Sequence, residues 1–337
     1  MIARILSTLA AACLPAAASW ADAAPTDAGM PVLSLAGTMP TSGDYGEVLA
    51  AIDGIGATAT SLSLFWDDLE RGGAYAPDPD WPAIAQAVYP PRDLALQLTF
   101  SVIDTVADRR PADLRGLPWD DLRVIERFDA LAGEVLSRMP GVDLVSVAVG
   151  NEVDGVLADR DVDEYARFLT AARDAIHARR PDVPVTVKVT WDGLRSRPEI
   201  LDLARIGDGL SITWYPMDGG FGFLAPDAAL RELDAMAALA DGPWELSEVG
   251  YPSGGCGASS EAAQARFLVG LRERAASLAA LRLVQIVWSH DIPAAGVSAD
   301  AGYYRVGDPC FASFLATLGL LTAKGAPKPA YEALAGR

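Results

Sequence analysis

Eight short runs of apolar and β-branched residues recur along the chain, near residues 32–36, 59–66, 94–102, 144–151, 184–190, 209–215, 243–248 and 281–289. Their length and composition predict strands. Between most of them, apolar residues return every three or four positions, which predicts helices over Glu126–Met139, Asp163–Ala178, Asp227–Ala240 and Ser260–Ala280. Arg179-Arg180-Pro181 stops the second helix, and Asp227, directly after Pro226, suits the start of the third. Strand and helix alternating eight times is the pattern of an α/β protein built as one (β/α)8 TIM barrel. A doubly wound open sheet is the other arrangement of the same alternation.

Alternation inside the strands favours the barrel. In the fourth run Val145, Val147 and Val149 share one face and Ser146, Ala148 and Gly150 the other. The fifth sets Val185, Val187 and Val189 against Thr186, Lys188 and Thr190, and the sixth sets Ile212 and Trp214 against Ser211, Thr213 and Tyr215. Bulky faces would pack under outer helices, and small or polar faces would point into the barrel. By that parity Glu152 and Tyr215 point inward. In the seventh run Glu248 shares its parity with Trp244 and Leu246, whereas Glu245 falls on the opposite face.

The first residues are read as an address, not as part of the fold. Arg4 precedes an apolar, alanine-rich stretch, and Ala21-Asp22-Ala23 offers a small-x-small cleavage site. The expected division is a signal peptide over 1–23, a tether over 24–31 and one catalytic-size domain over 32–337. Lipid attachment at Cys13, after three alanines, is the alternative address. The stretch is too short to span a membrane, and no other segment reaches that length. The expectation is therefore an exported protein, periplasmic or secreted, and a monomer.

With 45 acidic and 27 basic residues the net charge is −18, which argues against nucleic acid, anionic membranes and polyanionic glycans as partners. A neutral polysaccharide or oligosaccharide remains open. Cys256 and Cys310 survive removal of the leader, and two cysteines in an exported chain favour a disulfide. Both lie on the side of the barrel where the strands end. Two histidines, His177 and His290, cannot build a multi-histidine metal centre, so no metal and no cofactor are expected.

The candidate chemistry is a pair of glutamates at strand ends. Glu152 follows the fourth run in Val149-Gly150-Asn151-Glu152-Val153, and Glu248 ends the seventh in Ser247-Glu248-Val249-Gly250-Tyr251-Pro252-Ser253. Active sites of such barrels gather at the C-terminal ends of the strands. Two carboxylates across a sugar ring are what glycosidic bond cleavage requires. These segments, with Trp214-Tyr215-Pro216 on the sixth strand, resemble the glycoside hydrolases of clan A. They are most similar to family 17, the β-1,3-glucanases, with some likeness to family 53. The likeness runs the length of the mature chain in order and spacing, but is sharp only at these three segments. Phe65-Trp66-Asp67-Asp68 stands where many clan members carry an arginine, and Asp108-Arg109-Arg110-Pro111 matches no family pattern.

The resemblance implies a retaining mechanism, with Glu248 as nucleophile and Glu152 as acid/base. It implies Asn151 at the sugar 2-hydroxyl, Tyr215 as a donor to Glu248, and Trp288 as the floor on which a sugar ring stacks. Trp66 and Trp191 are further platform candidates. Lys188, Asp67 and Asp104 could bind hydroxyls, and His290 would support the site from behind. Transglycosylation, or a catalytically idle barrel that binds envelope glycan, are the alternative activities.

Overall fold

The computed structural model describes residues 30–336. The signal-peptide reading, the Cys13 alternative and most of the tether lie outside the described residues. The barrel strands are β1 (Val32–Ala36), β2 (Ala59–Phe65), β3 (Ala95–Asp104), β4 (Leu144–Asn151), β5 in two pieces (Val185–Thr186 and Lys188–Thr190), β6 (Leu210–Trp214), β7 (Trp244–Val249) and β8 (Leu281–Val287). All eight predicted runs are strands.

Parallel pairing runs from β5 through β4, β3, β2, β1, β8, β7 and β6 back to β5. The first piece of β5 pairs with β4 (Val147 with Val185) and the second with β6 (Ser211 with Lys188), so the ring closes across Val187. Because β1 lies between β2 and β8, an open doubly wound sheet is excluded.

Eight helices cover the strands: α1 (Tyr45–Gly54), α2 (Trp81–Val88), α3 (Leu122–Arg138), α4 (Asp159–His177), α5 (Pro198–Ala204), α6 (Glu232–Ala240), α7 (Glu261–Ala275) and α8 (Pro329–Leu334). Their starts follow capping chemistry more than periodicity. Asp121 caps α3 by accepting from the Arg123 N–H, so α3 begins four residues before the predicted Glu126. Ser260 is the cap of α7, its hydroxyl accepting from the Ala263 N–H. The helix expected over Asp227–Ala240 is broken at Arg231 into Pro226–Leu230 and α6.

Between strands and helices the core is apolar and, around β3, aromatic. Phe128 of α3 meets Trp66 and Phe100 edge to face, at centroid distances of 5.7 and 5.4 Å. The inside of the barrel is polar. Glu245, wholly buried, accepts hydrogen bonds from Gln97 (3.1 Å), Ser146 (2.8 Å), Thr186 (3.2 Å) and Ser211 (2.7 Å). Gln285 donates to the Ser247 carbonyl and accepts from Ser34. The parity reading of polar faces turned inward therefore holds for β4, β5 and β6.

It fails at the end of β7. Ser211 and Ile212 pair with Glu245 and Leu246, but Thr213 pairs with Glu248, so Ser247 is an extra residue on the β7 side. A bulge of this kind shifts every later side chain to the other face. Glu248 thereby joins Glu245 on the inward face, although strict alternation puts them on opposite ones.

Candidate active site

Glu152 is positioned by a tight exit from β4. Gly150 has φ +91°, and a Cβ there would stand 2.4 Å from both the Tyr165 hydroxyl and a Val153 methyl, so only glycine fits. Glu152 itself has φ +46°, which turns the chain sharply and drives its carboxyl back over the barrel mouth. Two hydroxyls hold that carboxyl: Thr105 donates to Oε2 at 2.7 Å and Thr213 to Oε1 at 2.8 Å. Burial, and then the neighbouring charge of Glu248, push the Glu152 pKa up to about 7, partly opposed by the two hydroxyls.

Glu248 faces a different set of partners. Lys188 Nζ lies 3.3 Å from Oε1, and the Tyr215 hydroxyl donates to Oε2 at 3.1 Å. Lys188 is 1 % exposed, and its charge also acts on Glu245 below. A cation and a phenol donor thus both face this carboxylate. Tyr215 packs edge-on against Phe314 at 5.3 Å, which fixes its ring.

Asn151 donates from Nδ2 to Asp104 Oδ1 at 3.0 Å, while its own Oδ1 is buried without a protein partner. Asp104 also accepts from the Tyr303 hydroxyl at 2.7 Å, and burial raises its pKa.

A cavity of about 390 Å³ opens at the C-terminal ends of the strands. Glu152, Glu248, Asn151, Tyr215, Trp288 and Trp191 all border it. Trp191 opens the short helix Trp191–Ser196, capped by Thr190, and its indole N–H is buried without a partner. Trp288 follows a cis peptide after Val287 and is half-buried at the cavity wall.

Four candidates fall elsewhere. Trp66 is 1 % exposed, donates to Glu70 and packs on Phe128 under α3, so it is a core residue and no platform. Lys188 does not border the cavity; it lies beneath Glu248 and is committed to that carboxylate, so it is no ligand for substrate hydroxyls. Asp67 is likewise occupied, pairing with Arg109 at 2.8 Å and Arg115 at 2.6 Å. Arg109, from the segment without a family counterpart, also lies over the Phe65 ring at 4.1 Å. His290 is buried and shares a hydrogen bond with Ser289, away from the cavity.

The sequence reading missed the hydroxyls on Glu152 and the far wall of the cavity. Thr213 was legible as inward by its parity on β6. Thr105 lies on the turn after β3, and Tyr304, Phe311 and Phe314 lie on helices after β8, Ala294–Tyr304 and Pro309–Ala316, where no strand parity applies. A disulfide joins Cys256, in the loop after β7, to Cys310 at the start of the second of these helices, with Cα atoms 5.4 Å apart. Such a bond belongs to an oxidising compartment. Among the described residues no helix is long and apolar enough to cross a membrane.

No protein-family model and no curated protein matches the chain. Solved structures do. A GH5_18 enzyme from Streptomyces cattleya in complex with GlcNAc superimposes with a TM-score of 0.72 at 18% identity, over 92% of this chain and 80% of that one. An exo-β-1,4-mannosidase from Opitutaceae bacterium strain TAV5 gives a TM-score of 0.69 at 19% identity, over 93% and 61%. A family 39 glycoside hydrolase from Bacteroides cellulosilyticus WH2 gives 0.64 at 17% identity, over 92% and 64%. At this identity the likeness is one of fold. The chain shares the (β/α)8 barrel of these structures, and the neighbours named belong to families 5 and 39, not to families 17 or 53.

Proposed function

We propose that the protein is an exported retaining β-glycosidase that hydrolyses a neutral oligosaccharide or polysaccharide. The observation that carries this is the unequal environment of two neighbouring glutamates. Glu152 is buried, hydrogen-bonded by neutral hydroxyls and raised to about 7, as a general acid working near neutrality requires. Glu248 receives a lysine and a tyrosine, as a carboxylate nucleophile requires.

In the first step Glu248 attacks the anomeric carbon while Glu152 gives its proton to the departing oxygen, leaving a glycosyl ester on Glu248. In the second, Glu152 takes a proton from water, whose oxygen displaces Glu248 and restores both groups. Asn151 would hold the 2-hydroxyl, and Trp288 would carry the apolar face of the ring. The leader read over 1–23 and the Cys256–Cys310 bond agree with export.

The substrate class is a further part of the proposal. The structural neighbours bind GlcNAc and, for a variant from the same Streptomyces, Manβ1-4GlcNAc, so β-mannosides belong beside β-1,3-glucan as candidates. The test is product release from β-glucans, galactans, mannans and short β-mannosides, with Glu248→Gln run alongside. Release that disappears in the variant is the expected result. A protein that binds one of these glycans but cleaves none would overturn the hydrolase reading in favour of a non-catalytic barrel.

A further inference from the structure

The cavity has two unlike parts. One part of the lining can meet hydroxyls through Thr105, Asn151, Glu152, Thr213, Tyr215 and Glu248, and Thr190, Asp192, Arg195 and Tyr304 add polar groups at its border. Another part of the lining, which meets the first where Phe314 packs on Tyr215, is built from Met217, Phe221, Val306, Phe311, Phe314 and Leu315. Apart from the weakly accepting Met217 sulfur, none of these six offers a hydrogen bond.

The wall is a fixed structure. Phe221 and Phe311 stand 5.0 Å apart between ring centroids, Phe311 touches Tyr304 at 5.6 Å, and Phe314 touches Tyr215 at 5.3 Å. Cys310, next to Phe311, is bonded to Cys256, whose carbonyl accepts from the Phe223 N–H. The loop after β6, the loop after β7 and the helices after β8 are thus tied into one surface. A second sugar laid against it would turn hydroxyls toward groups that cannot pair with them.

We infer that the group leaving from the anomeric carbon is apolar: the substrate is a β-glycoside of an alkyl or aromatic alcohol, its sugar held at the glutamates and its aglycone against the Met217–Phe221–Phe311 wall. This rests on the retaining β-glycosidase reading of the two glutamates and puts an apolar aglycone where that reading has a second sugar. Hydrolysis then releases the alcohol with the proton of Glu152, and the hydroxyl of water goes to the sugar.

The test is a homologous series. Methyl, butyl, octyl and benzyl β-D-glucosides, mannosides, galactosides and N-acetylglucosaminides are compared with the corresponding β-linked disaccharides, using the purified protein. The alkyl members share one leaving-group chemistry, so their differences report contact. For the sugar that is accepted, kcat/KM should rise at least roughly tenfold from methyl to butyl, as burial of three methylenes against an apolar wall implies. Continued increase to octyl would assign an alkyl aglycone, and benzyl above butyl an aromatic one. In Phe221→Asn the chain-length gain from methyl to butyl should shrink about threefold or more. Phe221 is half-buried with φ +57°, a conformation that asparagine tolerates. Rates that do not rise with chain length, or disaccharides cleaved in preference to butyl glycosides, would overturn the inference and leave the glycosidase reading standing. No release from any member would remove both.

Discussion

Glu245 and Glu248 stand three residues apart on one strand and point the same way, yet they are built for opposite purposes. Glu245 closes the floor of the barrel. Four neutral donors from β3, β4, β5 and β6 surround it, and it does not border the cavity at the barrel mouth. Glu248 stands at the mouth with two partners, a buried lysine and a tyrosine, and with a face open to the cavity. A fully hydrogen-bonded carboxylate in a closed interior is a structural joint. One that keeps an open face beside a second carboxylate is available for chemistry.

The comparison breaks most visibly at the mouth. Glu248→Gln should lower kcat/KM by a factor of about a thousand or more while leaving the thermal midpoint within a few degrees, because an uncharged amide occupies the same space. Residual activity within tenfold of the unaltered protein would mean that the nucleophile is elsewhere. Lys188 is the link between floor and mouth. Lys188→Met should cost roughly a hundredfold in kcat with little change in KM, since the cation touches Glu248 and not the cavity. Lys188→Arg should restore part of that loss. A rise in KM alone would return Lys188 to the substrate-binding role that the sequence first suggested.

Glu152 supplies a prediction in pH. Its pKa of about 7 lies above the ordinary carboxylate value, so the acid is protonated below about pH 7 and lost above it. Activity should fall about tenfold per unit as pH rises beyond 7, and this limb should vanish in Glu152→Gln, whose remaining rate is low and flat. The same shift acts on folding with a fixed sign. A raised acid favours the native state fully below its unfolded value, and that contribution fades as pH rises through about 7. The Tm of the unligated protein should therefore decline less between pH 5 and 7.5 in Glu152→Gln than in the unaltered chain.

The barrel was legible because its evidence is periodic. Alternation along β4, β5 and β6 is enforced by the packing of valines under helices and of hydroxyls around Glu245, and it repeats often enough to read. The site was legible where it lies on strands: Asn151, Glu152, Tyr215, Thr213 and Glu248 all sit on or next to them. What could not be read is aperiodic. The extra residue at Ser247 turns Glu248 inward without any sign in composition, and parity without the bulge misplaces it. Trp66 was misread because an aromatic at a strand end suits a platform or the core equally. The short helix Trp66–Leu69 swings it outward under α3, where Glu70 receives its indole N–H. The apolar wall comes from long-range contacts between loops, which one sequence does not display.

The floor should yield the smallest effect, and its direction is informative. In Glu245→Gln the oxygen keeps the three donors now on Oε1, from Gln97, Thr186 and Ser211. The amide nitrogen replaces Oε2 opposite Ser146, whose hydroxyl can rotate from donor to acceptor. The network survives in reversed polarity at one bond, so the loss of stability should stay near ~1 kcal/mol, with activity unchanged within about twofold. The sign of its pH dependence follows from burial, which raises the Glu245 pKa above the ordinary range despite its hydrogen bonds. Such a group stabilises the native state at acidic pH and loses that contribution as pH rises, a loss that glutamine does not share. The deficit of Glu245→Gln, measured by denaturant midpoint, should therefore shrink from pH 4 to pH 8. A variant that stays folded but loses activity a hundredfold would show that the floor charge reaches Glu248 through Lys188, and the two glutamates would then be one functional unit.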